Sequence, residues 1–204
     1  MKLNVMTGVL LGCGLLSAAP PTCVVDTLAN YIALGAQGCT LDGDVFANFS
    51  FSVTSSIAAT TITANQIIVT PQIIVPTTAV LKFSGPWKAA AGQTLDTVIQ
   101  YTIVPPPVSD PTTTPAPWEL DLSLGGAHIG GIIGSVTVNE TTNVGNLTVF
   151  ERCADVCQIE PTASLKFAPV SVILVSDHVS ISGGNGGASL TDFSAALNRC
   201  PLCV

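Results

Sequence analysis

From residue 45 onward, apolar residues recur at every second position in one stretch after another, and this alternation restricts the chain to half-buried β-strands. Val45, Ala47, Phe49, Phe51 and Val53 form one side of the first stretch, against Asp44, Asn48, Ser50 and Ser52, with Phe46 out of phase. Leu95, Ile99, Tyr101 and Ile103 alternate with Asp96, Gln100 and Thr102, and Leu120, Leu122 and Leu124 with Asp121 and Ser123. Further strands are expected at 135–140, 146–151, 165–175, 177–182 and 188–193, the last two joined by a flexible hairpin turn, Gly183-Gly184-Asn185-Gly186-Gly187. Many short strands separated by turn signals predict an all-β fold, an antiparallel β-sandwich. One short N-terminal helix precedes it, because Val25, Leu28 and Ile32 stand at helical spacing before a Gly35 stop, predicting a helix over 26–34.

Such a surface carries little charge. Charged residues are 9% of the 204, against about 25% in an ordinary soluble domain. Thr, Ser, Asn, Gln and Gly take their place on the polar side of each strand. Six Lys and Arg face thirteen Asp and Glu, for a net charge of −7. Phosphate-backbone contacts need clustered cations, so nucleic-acid binding is excluded.

The N-terminus reads as an export signal. Lys2 is the positive region, 3–16 the apolar region, and Ser17-Ala18-Ala19 the small residues for cleavage. Residues 1–19 are expected to be a signal peptide and 20–204 a single β-sandwich domain. Leu10-Leu11-Gly12-Cys13 has lipobox form, so lipidation at Cys13 is the alternative processing. Two other uncharged stretches, 51–81 and 122–138, are broken by Pro71 and Pro76 or by glycines including Gly130 and Gly134. Neither is expected to span a membrane, so the mature chain should have no transmembrane span.

With Cys13 removed, six cysteines remain, and an even count in an exported chain reads as disulfides. The candidates are Cys23, Cys39, Cys153, Cys157, Cys200 and Cys203, and local spacing makes Cys23–Cys39, Cys153–Cys157 and Cys200–Cys203 the default pairing. Cys153 and Cys157 with Cys200 and Cys203 are also the residue types of a four-thiolate zinc site, which oxidation would forbid.

A near-repeat links Gln66-Ile67-Ile68-Val69-Thr70-Pro71 to Gln72-Ile73-Ile74-Val75-Pro76-Thr77, and marks a strand and its connection. Residues 66–75 are uncharged and β-branched, the expected pairing surface for another chain. The run 104–117 holds six of the 14 prolines and reads as a surface loop.

The order of motifs is similar to that of a known family. Thr27-Leu28-Ala29-Asn30-Tyr31-Ile32-Ala33-Leu34-Gly35, Gly38-Cys39-Thr40 and Phe46-Ala47-Asn48-Phe49-Ser50 resemble the opening of exported bacterial PEP-CTERM proteins. Gln100-Tyr101-Thr102-Ile103, Gly134-Ser135-Val136-Thr137-Val138 and Phe167-Ala168-Pro169-Val170-Ser171 continue the resemblance. It implies secretion to a surface or matrix and no chemistry. The Pro-Glu-Pro tail itself is not among these residues, which close on Arg199-Cys200-Pro201-Leu202-Cys203-Val204, so either loss of the tail or release or assembly by another mode is expected.

No residue set reads as catalytic, cofactor-binding or metal-binding. Asp177 and His178 point to opposite faces of a strand and cannot act as orienter and base, and a solvent-facing polar row is expected there. His128 sits among glycines. Asp42-Gly43-Asp44 is an acidic turn of the kind that sometimes holds calcium, without further carboxylates at suitable spacing. Three N-glycosylation sequons, at Asn48, Asn139 and Asn146, fit chance in so Thr-rich a chain. The reading is a secreted, non-enzymatic cell-surface or extracellular-matrix structural protein, with itself or matrix polysaccharide as partner. The alternative is an extracellular carbohydrate-binding sandwich, which needs exposed aromatics from a chain that is 5% aromatic.

Overall fold

The computed structural model describes residues 18–55, 61–74, 77–107 and 117–199. Cys13, Cys200, Cys203, the signal segment up to residue 17 and the centre of the Pro-rich run lie outside them. The elements in chain order are β1 (Asp26–Thr27), α1 (Leu28–Ala33), β2 (Cys39–Leu41), β3 (Asp44–Ser55), β4 (Ile68–Ile73), β5 (Thr78–Ala89), β6 (Thr94–Val104) and β7 (Trp118–Gly125). There follow β8 (His128–Ile129), β9 (Ile133–Thr142), β10 (Gly145–Ala154), β11 (Val156–Glu160), β12 (Thr162–Phe167), β13 (Ile173–Ser182) and β14 (Ala188–Asn198).

These strands form two antiparallel sheets packed as a sandwich. The first runs β11-β10-β9-β13-β6-β3-β2; the second runs β1-β4-β5-β14-β7-β12, with β8 beside β14. The expected alternation is visible in the register. Leu95, Thr97, Ile99, Tyr101 and Ile103 of β6 are buried while the residues between them are not. Aromatic rings bridge the two sheets. Tyr31 meets Phe49 at 5.1 Å, Phe49 stacks on Tyr101 at 5.2 Å, and Tyr101 faces Phe83 at 6.0 Å. Phe83 stacks on Phe193 at 5.0 Å, and Phe193 lies against Trp87 at 5.8 Å. Trp87 Nε1 donates to Thr97 Oγ1 across the sheets at 3.1 Å, which satisfies both buried polar atoms.

The helix is shorter than its periodicity predicts. Thr27 caps it by accepting from the Asn30 amide, and Asp26–Thr27 pairs with β4 instead of joining the helix. Leu28 and Tyr31 bury its inner side, while Val25 is exposed.

Three expectations about strands need correction. In β3, Phe46 and Asp44 face inward and Val45 is half exposed, because a bulge between Ala47 and Ser50 shifts the phase. Asn48 adopts φ +57° there and its Nδ2 donates to Thr102 Oγ1, so Phe46 before the bulge and Phe49 after it both reach the core. The stretch 165–175 is two strands' worth of chain, since β12 ends at Phe167 and β13 starts at Ile173 in the other sheet. The glycine-rich 183–187 segment is a crossover between sheets, not a hairpin, and it is tightly packed. Gly92 N donates to Gly184 O at 2.7 Å and Gly130 N to Gly187 O at 2.9 Å, while a Cβ on Gly184 would lie 1.7 Å from Ile133 O.

Candidate functional site

An antiparallel sandwich leaves strand edges whose backbone groups are open to another strand unless something guards them. Here each edge is treated differently. At β2, the N-terminal segment lies alongside: Cys23 N donates to Thr40 O at 2.9 Å, and Thr40 N donates to Pro21 O at 2.7 Å. At β4, β1 covers Ile68 and Val69, and Pro71 beyond it has no N–H to offer. The expected pairing surface at 66–75 is therefore partly closed, although Ile73 and Ile74 are exposed. At β12, Lys166 stands outward in a strand whose side chains alternate between exposed and half-buried.

Among the described residues nothing guards the β11 edge. All five of its residues are exposed, and Val156 and Ile159 retain 76% and 62% of their surface. Glu160 at the end is its one charge. Its inner neighbour β10 pairs it through Cys153↔Cys157, whose sulfurs are bonded. This bond holds the hairpin closed and projects β11 past the sheet core. Ile133, Ala154 and Val156 form one cross-strand row on the outer face, which extends the apolar surface inward from the edge.

Both disulfides within the described residues follow the expected pairing, Cys23–Cys39 and Cys153–Cys157. Bonded sulfurs supply no thiolates, so the four-thiolate zinc arrangement is overturned. Among the described residues no cluster of three His, Cys, Asp or Glu is placed to hold a metal ion.

Sequence reasoning missed two buried acidic clusters. His178 and Ser180 keep to the outer face of β13 as expected, and Asp177 lies on the opposite one. It is fully buried, in phase with Val175 and Val179, and directly opposite Glu140 of β9, which is also buried. Tyr101 stands beside them, one row along on β6. None of the four carboxyl oxygens has a hydrogen-bond partner, although Tyr101 and Glu140 stand close to Asp177. Burial pushes the Asp177 carboxyl up to about 7, an effect partly offset by the approach of Glu140 and Tyr101. Glu140 is raised well above the ordinary carboxylate range, by burial first and by Asp177 second. Two carboxyls buried at one register position do not readily both ionise, so the pair keeps at least one proton at neutral pH. His178, on the other face, pairs with Asp96 at 3.4 Å. The signal for Asp177 and Glu140 was parity: each shares the spacing of the valines around it.

The second cluster is the Asp42-Gly43-Asp44 turn. Arg199, at the end of β14, donates to the Asp42 carbonyl and lies 3.3 Å from the buried Asp44 carboxylate. Arg199 thus supplies an ion-pair partner to the acidic turn. Burial still lifts Asp44 to about 7 against the pull of Arg199.

The aromatics that a sugar platform would need are mostly inside. Trp87, Trp118, Tyr31 and Tyr101 are all buried. Phe150 of β10 is the ring that does not pack on the core among the described residues, and Arg152 lies over it at 5.2 Å.

No family model matches the chain, nor does any curated protein. Among solved structures it is similar to TmCBM61 in complex with beta-1,4-galactotriose. The identity is 8% and the TM-score 0.32, over 74% of this chain and 88% of that one. No helix of the described residues is long and apolar enough to cross a membrane.

Proposed function

We propose that the chain is a secreted, non-enzymatic structural protein of the cell surface or extracellular matrix that self-associates through its sheet edges. The observation that carries this reading is the unguarded β11 edge, uncharged over Val156, Cys157, Gln158 and Ile159 and exposed on both faces. The two disulfides support an oxidising compartment, and the PEP-CTERM resemblance supports export. A second reading, a glycan-binding sandwich, has one observation in its favour: Phe150 under Arg152 on the outer face of the first sheet.

Light scattering and negative-stain microscopy of the purified mature chain across concentration test the first reading. Assembly is expected in the wild type and suppressed in the Val156→Lys/Ile159→Lys variant, because lysines on an edge oppose pairing. The same changes at Ile68 and Ile74 should have less effect. A chain that stays monomeric at high concentration and binds a polysaccharide saturably, with binding lost in Phe150→Ala, would transfer the function to the second reading.

A further inference from the structure

On the outer face of the second sheet, Lys88, Ser189 and His128 lie side by side on three adjacent strands. Ser189 of β14 is the register partner of Lys88 on β5 and of His128 on β8. Neighbouring strands stand about 4.8 Å apart, so the three side chains leave the sheet in one row and converge on one open cleft of about 250 Å³. The rest of its lining is Gly130, Gly186, Gly187 and Ala188, which bring no charge and no side-chain polar group. The bare floor is built in. A Cβ on Gly186 would lie 2.6 Å from the carbonyl carbon of Gly130, and one on Gly130 would lie 2.7 Å from Gly186 O. Only glycine lets these two segments touch, and their contact keeps the space between Lys88 and His128 open.

The charge balance of the cleft is the reverse of the molecule's. The chain carries −7 overall, yet among the described residues no acidic side chain lines this space. Among the described residues Lys88 has no carboxylate within ion-pair distance. Asp192, the one acid on β14, is held by Lys82 at 3.3 Å. A lysine ammonium, a hydroxyl and an imidazole around an unfilled hollow form a donor set for an oxyanion. At physiological salt the net charge is screened beyond about 8 Å, so the local donors govern the encounter.

We propose that this cleft binds a carboxylate or sulfate group of an acidic polysaccharide. This extends the glycan-binding reading above by naming a charged ligand class and a site remote from Phe150.

Affinity electrophoresis of the purified chain through gels containing polygalacturonate, dextran sulfate or neutral dextran tests it, and the first two polymers separate carboxylate from sulfate. Retardation is expected in at least one anionic gel and absent in neutral dextran. Lys88→Gln should weaken it roughly tenfold, the scale of one lost charge-assisted hydrogen bond, and His128→Gln should weaken it less. Lys166→Gln, on the far edge strand β12, should leave it unchanged. These positions are at the surface, and far-ultraviolet circular dichroism will confirm that each variant is folded. Retardation that survives Lys88→Gln but disappears in Phe150→Ala would overturn the cleft and leave the glycan-binding reading standing. No retardation by any of the three polymers would overturn both.

Discussion

At the scale of single residues, the deepest tension in the molecule lies between Asp177 and Glu140. Their carboxyls have no surface in contact with water and face each other across β13 and β9. A carboxyl whose folded pKa is raised contributes stability that is complete below its unfolded pKa and is lost as pH rises through its folded pKa. For Asp177 that window runs from its ordinary value of 3.8 to about 7. Asp44 titrates over the same range and in the same direction. Each pKa unit is worth about 1.4 kcal/mol. Thermal melts of wild type and Asp177→Asn between pH 4 and pH 8 should therefore diverge. The variant is expected to be no more stable than wild type at pH 4 and more stable at pH 8, and parallel curves would show that the pair does not titrate in this range. The burial of these acids is legible in the sequence only from their phase, not from residue type. Val175, Asp177 and Val179 share a parity that a search for apolar residues passes over.

Among the elements, the sequence was clearest where a strand keeps one phase from end to end. β6 and β7 could be read directly from Leu95 to Ile103 and from Leu120 to Leu124, whereas spacing only favoured Cys23–Cys39 and Cys153–Cys157 among the fifteen pairings that six cysteines allow. Where the phase breaks, local pattern fails. The bulge at Asn48 rests on a left-handed residue that only the neighbouring β6 register specifies, and β11 has no buried face to produce alternation. The 183–187 crossover was misread because glycine runs look alike whether they are loose or clasped. The difference is measurable. Gly184→Ala places a Cβ into the Ile133 carbonyl at φ +50°, whereas Gly92→Ala at φ +74° meets nothing within 4 Å. Chemical denaturation should show the Gly92 change costing about 1 kcal/mol, from backbone strain alone. The Gly184 change should cost more than about 2 kcal/mol, because its neighbours are backbone and cannot step aside. Equal costs would mean that the crossover is loose.

For the whole molecule, the two disulfides should differ in weight. Cys23–Cys39 spans a separation of 16 residues and ties the N-terminal segment, α1 and β2 together. In the chain-entropy account, closing such a loop contributes on the order of 3 kcal/mol. Cys153–Cys157 closes a separation of 4 within a hairpin that already pairs on both sides. Replacing Cys23 and Cys39 by Ser should lower the melting temperature by more than replacing Cys153 and Cys157, as differential scanning calorimetry would read; the reverse order would mean that the β11 hairpin governs global stability. The Arg199 clasp on the Asp42 turn has a further consequence. It brings the last described residues back to within one side chain's reach of β2, where the chain enters the first sheet. The two ends of the sandwich therefore emerge together, at the border of the first sheet opposite β11. A tether attached at either end would load that corner in tension and leave the β11 border pointing away from the anchor.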